Sequence, residues 1–102
     1  MSEPSSFTGS ITAIASELRG GGHTHTALNR ASSKIDHLGR RLHGLGYIRG
    51  REIAECFTAA LAELHASHAL AEEMRGEMVG RAISRLEEAA VHASAGVLPA
   101  AP

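Results

Sequence analysis

Tryptophan is absent, and only three aromatic side chains occur: Phe7, Tyr47 and Phe57. A platform that stacks successive bases needs more than that, so single-strand nucleic-acid binding has no footing here. The lone cysteine, Cys56, excludes an internal disulfide and reads as a small apolar filler in a reducing compartment. No apolar run approaches bilayer-spanning length, and the opening MSEPSSFTGS has no basic segment followed by an apolar run. These absences point to a soluble, cytoplasmic chain without membrane contact. Hairpin dipeptides and β-branched runs are missing as well, so no strands are expected.

Catalytic signatures are equally scarce. The chain has no nucleophile elbow, HExxH, dinucleotide fingerprint or paired catalytic carboxylates, and the expectation is that it is not an enzyme. GGGHTHT, at residues 20–26, is glycine-rich before a helix start, as an anion cradle would be. It lacks the lysine and following hydroxyl of a P-loop and no strand precedes it, so it reads as a flexible connector.

What is present is helical periodicity. Leu28, Ala31, Ile35, Leu38, Leu42 and Leu45 recur at steps of three and four, an unbroken heptad seam. A helix with such a stripe cannot bury it alone. Phe7, Ile11, Ile14 and Leu18 form a shorter stripe, which Gly20, Gly21 and Gly22 terminate. Thr24 or Thr26 is placed to cap the next helix. Beyond Arg51, the residues Ile53, Phe57, Leu61, Leu64, His68, Ala71, Met78, Val79, Ala82, Ile83, Leu86 and Ala89 project onto one broad face. Cys56, Leu70 and Met74 make a second, narrower strip, while Glu72, Glu73 and Arg75 fall on the solvated side.

The expected organisation is a disordered tail over 1–4, one helical domain over 5–93, and a disordered tail over 94–102. Its helices span about 5–19, 24–45 and 51–93, the last with a bend allowed near 76–80. The fold class is all-α: an antiparallel helical hairpin with a short N-terminal helix. At 102 residues, with much of its apolar content alanine, the core is thin. Association into a homo-oligomer is therefore expected to complete the bundle. Leu28, Ile35, Leu38, Leu42, Leu45, Phe57, Leu61, Leu64 and Leu86 are the expected interface and core.

Charge is polarised although the total is only −1. From Arg30 to Arg51 six basic residues face one acid, and from Glu52 onward eight acids face three arginines. Arg40, Arg41, Tyr47, Arg49 and Arg51 gather around the hairpin bend, where they could meet an anion or an acidic partner. No recognition helix or zinc finger accompanies them, so nucleic acid is the weaker of the two partners. Seven histidines complete the inventory. His65 and His68 lie three apart with Glu72 one turn on, and a second copy could pair His68 with itself around zinc, copper or haem iron. Without that pairing, no cofactor is expected. The reading is a non-enzymatic helical oligomerisation or protein-interaction module: an adaptor, regulator or structural subunit. The alternatives are a histidine-lined metal or haem bundle, and nucleic-acid or acidic-partner binding at the basic bend.

Overall fold

The computed structural model describes residues 3–98, with side chains from Phe7 onward. Four α-helices follow one another: α1 (Glu3–Gly20), α2 (His25–Leu42), α3 (Gly50–Ser67) and α4 (Gly76–Ala93), with a 3-10 turn at Glu72–Met74. Each stripe read from the sequence becomes the inward face of a helix. Phe7, Ile11, Ile14 and Leu18 are buried on α1, and Leu28, Ala31, Ile35, Leu38 and Leu42 on α2. α1 begins at Glu3, earlier than expected; the rest of the expected N-terminal tail, residues 1–2, lies outside the described residues.

Gly21 closes α1 because nothing larger fits. Its N–H donates to the Glu17 carbonyl, and a Cβ there would lie 2.9 Å from that same oxygen. Thr24 then caps α2: its hydroxyl accepts from the Ala27 N–H at 3.1 Å. α2 ends at Leu42 rather than 45, and Gly46 turns the chain at φ 68°. Leu45 therefore sits in the connection, partly buried against the core, and Leu61 is likewise only partly buried.

The expected 51–93 helical region is two helices, and the break falls at 68–75 rather than at 76–80. Residues 69–74, ALAEEM, are all strong helix formers, so local propensity gives little warning of it. Phase hides the break as well. The fifteen residues from Leu64 to Val79 return to within about 60° of the starting direction, so two stripes project as one wide face. Tertiary contacts override propensity here. Ser67 Oγ donates back to the Glu63 carbonyl at 2.9 Å, which loosens the last turn of α3, and Arg75 takes over the carbonyls beyond it.

Each helix packs on two others: α1 on α2 and α4, and α3 on α2 and α4, with no contact across either diagonal. With short connections the neighbours run antiparallel, giving a four-helix bundle from one chain. This differs from the hairpin that a second copy would complete. The seam of α2 is covered by α1 and α3 of its own chain, and Ile53, Phe57, Leu64, Val79, Ala82, Leu86 and Ala89 complete the core. The "second strip" divides: Cys56 is buried, whereas Met74 is exposed.

All three aromatic rings meet at one end, Phe7 lying 5.2 Å from Tyr47 and 6.1 Å from Phe57. There the segment after α4 does not trail away. Tyr47 and Val97 form an isolated antiparallel bridge, Ile48 N–H donating to Gly96 and Leu98 N–H to Gly46. Residues 94–98 of the expected tail are thus docked, and 99–102 lie outside the described residues. Among the described residues, no helix is long and apolar enough to cross a membrane.

Candidate functional site

The bundle has two ends of different chemistry. At the bend end, the last turn of α2 supplies Arg40 and Arg41, favourably placed at a helix C-terminus, and the head of α3 supplies Arg49 and Arg51. The five expected residues do come to one end, but not as one binding surface. Tyr47 is 6% exposed and stacks into the aromatic cluster, so it is a core residue and not a contact for a ligand. Arg41 lies over the Phe7 ring, 6.0 Å from its centroid, and Arg40 pairs with Asp36 at 2.9 Å. Arg49 and Arg51 are exposed.

Side chains alternate across an extended pair. Tyr47 and Val97 turn in, so Ile48 and Leu98 turn out, at 54% and 63% exposure. Charge and periodicity gave no hint of this apolar patch, because the bridge that presents it joins positions fifty residues apart.

The opposite end is built on Arg75. The sequence places it on the solvated side, yet it is 5% exposed. Its Nε donates to the carbonyls of Ser67 (2.9 Å) and Leu70 (3.0 Å), and its Nη1 to that of His23 (2.6 Å). One guanidinium thereby joins the α1–α2 connection, the end of α3 and the lead-in to α4, using a donor fork that lysine could not reproduce. Its fourth contact is Nη2 to His25 Nε2 at 3.2 Å. His25 in turn lies against His68, with Nδ1 to Nδ1 at 2.6 Å and rings 8° from parallel.

These contacts define the tautomers. A guanidinium only donates, so His25 Nε2 accepts and the ring proton of neutral His25 is on Nδ1. That proton is donated to His68 Nδ1, leaving the His68 proton on Nε2. Desolvation and the neighbouring His25, Arg75 and His65 lower the His68 pKa from its ordinary value.

Within one chain the expected metal residues are not brought together. Among the described residues no three His, Cys, Asp or Glu side chains assemble as a metal site, and His68 turns to His25 rather than to His65 and Glu72. A metal on His25 Nδ1 would drive the ring proton to Nε2, against the guanidinium. His25, His65 and His68 instead line an open groove of about 500 Å³ with Asn29, Ser32 and Leu61. Cys56 offers little as a nucleophile. Burial raises its thiol pKa, Glu88 and Glu55 add to the effect, and Arg85 opposes it.

No family model matches this chain, and no curated protein or solved structure does.

Proposed function

We propose that the chain is a non-enzymatic protein-interaction module that docks an acidic partner on its bend end. One observation carries the reading. Ile48 and Leu98 stand exposed on the outer side of a hydrogen-bonded clasp, at the end where Arg40, Arg49 and Arg51 project. Apolar side chains held on a fixed backbone inside a charged rim have the anatomy of a contact surface.

α1 and α3 cover the leucine seam within one chain. A second copy would bind on another face or displace one of those helices, and the native mass of the purified chain reports whether it associates.

The test is titration with acidic amphipathic peptides and, separately, with duplex DNA at low and physiological salt. The expected result is peptide binding that weakens at least tenfold both in Ile48→Ser/Leu98→Ser and in Arg49→Glu/Arg51→Glu, with helicity unchanged. Retention by DNA alone, abolished by salt and indifferent to Ile48 and Leu98, would show phosphate attraction instead.

A further inference from the structure

Arg75, His25 and His68 form one directional chain of hydrogen bonds: a permanent donor, a ring that accepts on Nε2 and donates from Nδ1, and a ring that accepts on Nδ1. The chain works with only one set of protons. Protonating His25 puts an N–H on Nε2 facing the guanidinium. Protonating His68 puts an N–H on Nδ1 facing the N–H of His25. Either event sets donor against donor, and protonation of His25 also sets two positive groups in contact.

The groups that face His68 are His25 from α2, His65 from the last turn of α3, and Arg75 at the head of α4. All three are bases, and no carboxylate lines the groove they share. The carboxylate of Glu72 in the 3-10 turn reaches the α1–α2 connection beside Gly22, outside that groove. Both rings are accessible to water, His25 exposed and His68 half-buried, so protons reach them without prior unfolding.

We propose that this chain is a pH-operated latch: with both rings neutral it ties the start of α2 to the α3–α4 connection, and protonation of either ring releases that end of the bundle. The released parts are the two connections that Arg75 holds together, 21–24 through the His23 carbonyl and 68–75 through those of Ser67 and Leu70. The core and the bend end are spared, because the clasp at Tyr47 and the aromatic cluster contain neither ring. The latch is independent of what docks at the other end.

Nitrogen NMR of the imidazoles in the full chain tests the premise directly. At neutral pH His25 is expected as the Nδ1–H tautomer and His68 as Nε2–H. Finding His25 with its proton on Nε2 would overturn the proposal without any variant being made. Amide exchange tests the consequence. Between neutral and mildly acid pH, the hydrogen-bonded amides of Gly21, His68, Ala69, Leu70, Met74 and Arg75 should lose about tenfold protection after correction for intrinsic rates, while α2 and α3 interiors hold; tenfold corresponds to one net hydrogen bond. The double variant His25→Gln/His68→Gln cannot titrate, yet each amide can still accept and donate. Its exchange at these amides should be flat with pH, and a wild-type-like acid release in it would also refute the latch.

Discussion

Replacing Arg75 by alanine perturbs the bundle where a single side chain serves the most backbone. The substitution removes donors from three carbonyls and from one imidazole nitrogen. The bond to Ser67 is buried, so its acceptor loses its partner without gaining water, a cost of about 1.5–3 kcal/mol for a charge-assisted bond. Those to Leu70 and His23 are only part-buried, so water can replace the guanidinium and each costs about 0.5–1.5 kcal/mol. Relief from holding a buried charge offsets part of the sum. Because the Ser67 and Leu70 bonds share the one Nε–H, the net expectation is a loss of about 2–4 kcal/mol, a large share of the roughly 5–15 kcal/mol typical of a domain. In urea, with a slope of about 1–3 kcal/mol per molar, the midpoint should fall by about 1–2 M. Arg75→Lys, which keeps the charge but not the fork, should recover less than half of the loss. If Arg75→Ala costs under about 1 kcal/mol, the reasoning that makes this guanidinium the tie between connections fails.

Leu38→Asp buries a carboxylate in the α2 seam and should abolish helicity by circular dichroism, at a cost above about 4 kcal/mol; intact helicity with a reduced native mass would restore the oligomer reading. Two glycine substitutions should act in opposite directions. Gly9→Ala, with open space around its Cβ in an exposed part of α1, should raise stability by about 0.5–1 kcal/mol, and Gly21→Ala, meeting the Glu17 carbonyl, should lower it, both read from thermal midpoints. Because the His68 pKa is lowered on folding, the unfolded chain binds more protons as pH falls. Its contribution to stability is therefore intact above the ordinary imidazole value of about 6.5 and lost as pH drops through the lowered one, so urea midpoints should decline with acid across that window and decline less in His68→Gln. Cys56, with its thiol pKa raised, should react with a disulfide reagent at mildly alkaline pH many times more slowly in the native chain than in denaturant.

Local pattern carried most of the helices and little of the sites. The α2 seam could be read residue by residue, because a three-and-four spacing has one physical meaning whether the covering helix comes from the same chain or from another. For that reason the covering helix could not be assigned. The α1 stripe and the Thr24 cap were legible in the same way. The turn at 68–75 was not, since the stripes on either side fall nearly in phase and the residues between them favour helix. Arg75 was read as solvated because an arginine between glutamates and a glycine has no local reason to be buried; its partners His23 and His25 lie about fifty positions away. His68 lies three residues from His65 in the sequence pattern, but the ring it meets, His25, is 43 residues upstream, beyond the reach of any helical spacing.

An even number of antiparallel helices puts the start of α1 and the end of α4 at the same pole. Glu3 and Leu98 therefore stand at the pole that carries Ile48 and the exposed arginines, and the histidine pole lies at the far end. A purification handle at either terminus could mask partner docking while leaving acid sensitivity intact, so binding measurements call for tag-free protein or a label inserted at the far pole.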